Sequence, residues 1–267
     1  MKKSVFGSTS DGREVCLYEL TNRSGASVTL CDYGARIVSV CVPDRDGRLD
    51  DVVLGYSDLG AYERNNGYFG AVVGRCANRL RNAAFRLNGR DYALPANNLG
   101  VNTLHGGFHG FDKKVWNAQC TESSVKFSCV SADGEEGFPG RVEASVAYTF
   151  TDENELVLRY EAQSDSDTVV NLTNHAYFNL AGHAGEKATE QRLTIDADFY
   201  TPVNDCLQLT GEILSVAGTV FDFRTPRRIG LFIDDPHPQL RIAGGYDHTF
   251  VMRKSERGAY ERAAELY

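Results

Sequence analysis

The sequence predicts an all-β fold of many short antiparallel strands, closed as a sandwich or a barrel. Three observations predict it. Apolar residues recur with period two, as on a half-buried strand, in segment after segment. Turn residues punctuate those segments, and 26 glycines suit a turn-rich β protein. Helical periodicity is nearly absent, which leaves antiparallel sheets as the way to bury the apolar faces.

The elements follow in chain order. Ile37 to Val42 is an apolar run of strand length, broken by Ser39 and too short to span a membrane. Asp46-Gly47 reads as a turn. Asp58 to Asn65 fits one or two helical turns, opened by Ser57 or Asp58 as the N-cap. Ala84-Phe85-Arg86-Leu87 and Asp91-Tyr92-Ala93-Leu94 flank Asn88-Gly89, the strongest short hairpin signal, because both turn residues need φ > 0. Val125, Phe127 and Cys129 alternate with Lys126 and Ser128. After Asp133-Gly134, Val142, Ala144, Val146, Tyr148 and Phe150 alternate with Glu143, Ser145, Ala147 and Thr149. Past Asp152-Glu153-Asn154, Leu156, Leu158 and Tyr160 alternate with Val157 and Arg159. Asn171 to Leu180 reads as a strand running into a turn. Alternation places Leu172, Asn174, Ala176 and Phe178 on one face and Thr173, His175 and Tyr177 on the other. Arg262-Ala263-Ala264-Glu265-Leu266-Tyr267 carries apolar residues to the last position, as if the chain stopped inside an element. No repeat, low-complexity tract or linker interrupts the sequence, so residues 1–267 are expected to form a single domain.

Composition narrows the function. The chain has 267 residues, 42% hydrophobic and 24% charged, enough for a sizeable core and incompatible with wholesale disorder. The net charge of −8 argues against nucleic acid, and the Arg-rich stretch 75–90 is interleaved with Asn and Gly. Met1-Lys2-Lys3 is followed by Ser4-Val5-Phe6-Gly7-Ser8, which is no signal-peptide apolar region. Seven cysteines contain no C-x-x-C pair and sit mostly in apolar runs. Buried reduced thiols in a cytoplasmic protein are the expectation. The sequence lacks G-x-G-x-x-G opening a helix, G-x-x-x-x-G-K-[ST] and G-x-S-x-G, so nucleotide-binding and serine-hydrolase readings lack their first requirement.

Few residues remain for chemistry. His105 and His109 are spaced i, i+4, but Gly106-Gly107 between them disfavours a helix, and no third ligand is near in sequence, so a metal is not expected. His105 is either a loop histidine held by backbone hydrogen bonds or one presented where the glycines let a ligand approach closely. The face carrying Thr173, His175 and Tyr177 is either the wet side of a sheet or the wall of a polar pocket. Arg75, Asn78 and Arg79 offer forked donors for hydroxyls or a carboxylate, or line a solvated loop. Asp247 beside His248 is a general-base pair or a turn cap. Asp234-Asp235-Pro236 reads as a turn.

Six stretches, in order, resemble the aldose 1-epimerase (galactose mutarotase) family. They are Asp32-Tyr33-Gly34-Ala35; Tyr68-Phe69-Gly70 leading into Gly74-Arg75-Cys76-Ala77-Asn78-Arg79; Asn102-Thr103-Leu104-His105-Gly106-Gly107 with Gly110-Phe111-Asp112; Glu135-Glu136-Gly137-Phe138-Pro139-Gly140; Thr173-Asn174-His175-Ala176-Tyr177-Phe178-Asn179-Leu180; and Tyr246-Asp247-His248. The resemblance covers nearly the whole chain and implies a large antiparallel β-sandwich without metal or cofactor. It implies interconversion of the α and β anomers of free aldohexoses such as galactose and glucose. In that chemistry one group protonates the ring oxygen while another takes the proton of the C1 hydroxyl. Carried over motif by motif, His175 is the general acid at the ring oxygen, and His105 binds nearby and helps share the proton. Asn78 and Arg79 grip sugar hydroxyls, and Asp247 accepts from another. The partner is thus a small sugar, with no nucleic acid or membrane.

One departure matters. The family's general base is a glutamate in a C-terminal E-T-Q-like motif beyond the Asp-His segment, and no such motif follows Asp247 here. Glu256, Glu261 and Glu265 lack that context and are not assigned the role. The expectation is a sandwich lacking its C-terminal strands, with little or no turnover by this chain alone. It would then be a partial copy of a working mutarotase, a sugar-binding remnant, or a relative acting on another sugar or a sugar phosphate.

Overall fold

The computed structural model describes residues 1–65, 67–255 and 260–267. The chain gathers into two compact units, Met1–His183 and Ala184–Tyr267.

The first unit opens with five strands, β1 (Lys2–Ser8), β2 (Glu14–Thr21), β3 (Ser27–Cys31), β4 (Arg36–Pro43) and β5 (Leu49–Asp51), in one antiparallel sheet of order β1-β2-β3-β4-β5. The short helix α1 (Leu59–Arg64) follows. Its cap is Asp58, whose carboxylate accepts from the Ala61 N–H at 2.8 Å and satisfies one of the orphan donors of the first turn. Short pieces come next: β6 (Val72–Val73), β7 (Arg79–Leu80), the hairpin β8 (Ala84–Leu87) and β9 (Arg90–Ala93), and β10 (Thr103–Leu104), which pairs with β7. The hairpin turns where Asn88-Gly89 predicts, at φ 50° and 78°. A second sheet, the meander β11 (Asn117–Cys120), β12 (Ser124–Ser131), β13 (Val142–Phe150) and β14 (Leu156–Ser164), is antiparallel throughout. β15 (Thr173–Asn174) then pairs with β6.

These two sheets form the sandwich. Leu20, Val28, Leu30 and Ile37 of the first sheet share one buried cluster with Val125, Phe127, Val146 and Tyr148 of the second. Every alternating residue predicted to face inward on β13 is buried there. Fully burying a side chain such as Phe127 is worth about 1.5–3 kcal/mol, so this shared layer holds the unit together.

The second unit has β16 (Arg192–Ile195), β17 (Ala197–Thr201), β18 (Leu214–Ser215), β19 (Arg227–Arg228), the helix α2 (Pro238–Ala243), β20 (Thr249–Met252) and β21 (Ala264–Leu266). They make two three-stranded sheets, β19-β16-β21 and β18-β17-β20, over an aromatic core that includes Tyr200, Phe221 and Phe223. The apolar ending therefore has a place. β21 pairs antiparallel with β16, and Tyr267 and Arg192 exchange main-chain hydrogen bonds. Glu261 accepts from the Ser255 N–H, and Glu265 pairs with Arg262 at 2.9 Å. Glu256 lies outside the described residues. All seven cysteines are free thiols; Cys16, Cys31 and Cys129 are buried, whereas Cys120 is exposed.

Candidate active site

His175 follows directly on β15. Its N–H donates to Ala71 O at 2.8 Å, and its carbonyl accepts from Gly70 N–H at 3.0 Å, so the β6–β15 ladder runs on through it. The neighbouring Asn174 points the other way. Its amide nitrogen donates to Gly70 O at 2.7 Å and to the Tyr148 hydroxyl at 3.2 Å, while its oxygen accepts from Ala176 N–H. The predicted alternation holds through Leu172, Asn174 and Ala176, with Leu172 and Ala176 packed on the core. It fails at Phe178, which is 50% exposed: past His175 the pairing partner changes from the segment leading into β6 to residues 52–54, where Phe178 bridges Val53, so the faces set by β6 no longer apply.

His105 is mounted differently. It sits one residue past β10, at φ 53°, opposite Asn78 at φ 62°. The His105 N–H donates to Asn78 O at 3.1 Å, extending the β7–β10 ladder. In return the Asn78 N–H donates to Nδ1 of the His105 ring at 3.1 Å. The Asn78 side-chain oxygen accepts from Arg79 N–H at 2.8 Å, and Arg79 Nε donates to Asn98 Oδ1 at 3.0 Å. The ladder thus places Asn78, Arg79 and His105 side by side at its end.

The two histidine rings meet edge to face with centroids 5.0 Å apart. Tyr68 touches both, at 4.7 Å from His105 and 5.6 Å from His175, and Tyr177 lies 5.1 Å from His175. The rings of this cluster are half-buried, and Tyr177 at its edge is exposed. Burial, then the neighbouring His175, then Arg79, push the His105 pKa down to about 3. Burial pushes Tyr68 up to about 12, so it stays a neutral phenol. Tyr68, Asn78 and His105 all lie at positive φ, a conformation that costs an L side chain energy and persists where surrounding structure enforces it.

Of the predicted residues, His105, His175, Asn78 and Arg79 belong to the first unit, and the two histidines, Asn78 and Arg79 are linked there by the contacts just described. Asp247 belongs to the second unit, where it is exposed in the segment after α2. Its neighbour His248 turns to Gln239 Oε1 at 3.0 Å. Arg75 is not available to a ligand. It is 2% exposed, and its guanidinium donates to the carbonyls of Ala132, Pro139 and Gly140 and to Ser131 Oγ. The glycines after His105 serve the protein's own packing. A Cβ on Gly106 would lie 1.9 Å from Gly74 O, and one on Gly107 would lie 2.1 Å from a Glu136 carboxylate oxygen. That carboxylate accepts from Phe108 N–H at 2.8 Å and ties the His105 loop to the segment after β12.

Sequence reasoning gave no role to Tyr68 or Glu136. Alternation already set Tyr177 on the His175 face, but only the fold brings Tyr68 against the two rings and Glu136 against the His105 loop. Among the described residues, no three His, Cys, Asp or Glu side chains gather as a metal site.

Residues 16–265 match the aldose 1-epimerase family model. The chain belongs to the aldose 1-epimerase family. Galactose mutarotase of Sus scrofa is 42% identical over 254 residues, which are 95% of this chain and 72% of that protein. The aldose 1-epimerase of Escherichia coli K12 is 38% identical over 93% of this chain and 71% of its own length. Among solved structures, galactose 1-epimerase from Lactobacillus acidophilus NCFM superposes with a TM-score of 0.86 at 30% identity, covering all of this chain and 77% of that one. The family's antiparallel β-sandwich is thus the fold of this chain.

Proposed function

We propose that this chain interconverts the α and β anomers of free aldohexoses, galactose and glucose being the expected substrates. The observation that carries the reading is the edge-to-face pair of His105 and His175, walled by Tyr68 and Tyr177 and flanked by Asn78 and Arg79. It supplies a titratable group beside hydroxyl-binding donors, which acid–base ring opening requires. His175 gives a proton to the ring oxygen as the bond from that oxygen to C1 breaks, and the C1 hydroxyl loses its proton to a base. The open aldehyde turns about the C1–C2 bond, and the ring closes on the other face with both transfers reversed. Asn78 and Arg79 bind hydroxyls. General acid catalysis of this kind is typically worth about 10²–10⁴-fold in rate.

No helix among the described residues is long and apolar enough to cross a membrane. Seven free thiols support a reducing, cytoplasmic setting. Polarimetry of freshly dissolved α-D-galactose tests the activity. A faster drift to the equilibrium rotation supports it, overturns the expectation of little or no turnover, and shows that a carboxylate outside the family motif supplies the base. Drift at the uncatalysed rate, with galactose still raising the melting temperature, would replace it by a sugar-binding role.

A further inference from the structure

The contact between Asn78 N–H and His105 Nδ1 fixes more than position. A donor aimed at a ring nitrogen needs a lone pair there, so Nδ1 carries no proton. A neutral imidazole has one lone pair and one N–H, so its proton sits on Nε2. The reciprocal bond from His105 N–H to Asn78 O holds the two residues in register, so the ring faces this donor with its main chain already committed. Asparagine suits position 78 because it tolerates the left-handed backbone that aims its N–H at the ring.

The neighbours agree. His175 on the β15 side and Arg79 on β7 are the titratable and charged neighbours acting on His105, and both oppose a positive charge on its ring. Tyr68, from the segment before β6, offers a neutral ring edge to face rather than a carboxylate. Protonating His105 at Nδ1 would set two donors against each other at 3.1 Å.

We propose that His105 acts in the mutarotase site as a permanently neutral donor through Nε2–H, with the Asn78 peptide as the positioning group that sets its tautomer. This deepens the proposed function and rests on it for the identity of the ligand oxygen. His105 then stabilises charge building on a sugar oxygen as the ring opens, and proton delivery falls to His175 alone. A preorganised donor of this kind is worth most where water is excluded.

The test is long-range proton–nitrogen NMR of the ¹⁵N-histidine-labelled full chain, from about pH 8 to about pH 5, a span that brackets an ordinary histidine pKa. The His105 ring is assigned by nuclear Overhauser contacts to Tyr68 and by loss of its signals in His105→Gln. The expected result is an unprotonated Nδ1 and a protonated Nε2 that do not change across the range. A proton on Nδ1, or conversion to imidazolium above about pH 5, would overturn the proposal. Polarimetry on the same sample separates the two claims. A fixed Nε2–H tautomer without mutarotation counts against the function alone, and mutarotation with a titrating His105 counts against this inference alone.

Discussion

The two histidines are held by the same device, the end of a two-residue ladder, yet to different depths. His175 is fixed through its main chain, with N–H and carbonyl both committed to the segment leading into β6. His105 is fixed through its main-chain N–H and also through Nδ1, by a peptide whose backbone is itself strained into the left-handed region. Two chemically identical side chains, rings 5.0 Å apart, are thereby made unequal. A pair of interacting imidazoles does not readily hold two charges, so which one carries the proton must be decided by the surroundings. Here burial and a main-chain N–H aimed at Nδ1 both set His105 against carrying it.

The sharpest way to break this comparison is to remove each partner in turn. His175→Ala should lower kcat for galactose by about 10²–10⁴-fold while leaving the binding constant nearly unchanged, because proton transfer belongs to the transition state. A rise in KM with kcat intact would take the acid role away from His175. Next in size is Gly106→Ala. Its methyl would collide with Gly74 O at a φ of 95°, so a loss of about 3 kcal/mol in urea unfolding is expected, close to 10²-fold in the folding equilibrium. A neutral outcome would mean that the loop moves freely and that His105 is not rigidly mounted.

The third test uses pH. His105 has a folded pKa near 3 against about 6.5 when unfolded, so the unfolded chain binds the extra proton between those values. Stability from this group is full above about pH 6.5 and falls as the pH drops toward 3. Chemical denaturation at pH 7 and pH 4.5 should show a smaller acid loss in His105→Gln than in the parent; equal losses would contradict a neutral His105. The smallest effect is expected from Glu136→Gln. It weakens one charge-assisted bond to Phe108 N–H by about 1 kcal/mol and should raise KM only a few-fold. An effect as large as that of His175→Ala would move Glu136 from holding the loop into the chemistry.

What the sequence disclosed divides by range. The β8–β9 hairpin was legible because Asn88 and Gly89 carry its whole geometry locally, and the inward faces of β12 and β13 were legible from alternation alone. The motif resemblance proposed His105, His175, Asn78 and Arg79, and the fold brings these four together. Arg75 was not, since the same forked donors serve a ligand or a ring of carbonyls, and only the fold supplies the carbonyls. Nor was the reason for Gly106 and Gly107, whose missing side chains make room for Gly74 and Glu136, groups distant in sequence. Alternation also overreached at Phe178, where the pairing partner had changed from the β6 segment to Val53.

Asn174 carries one further consequence. Its amide joins the Tyr148 hydroxyl, and that hydroxyl donates to Ala35 O at 2.6 Å from the middle of the sandwich. The histidine next to it is therefore stitched to the buried core of the first unit. Amide hydrogens in such a region exchange with solvent only when the whole cooperative unit opens. The main-chain hydrogen of His175 should then exchange as slowly as those of Val146 and Tyr148, and the proposed proton donor would share the opening free energy of the core rather than that of a loop.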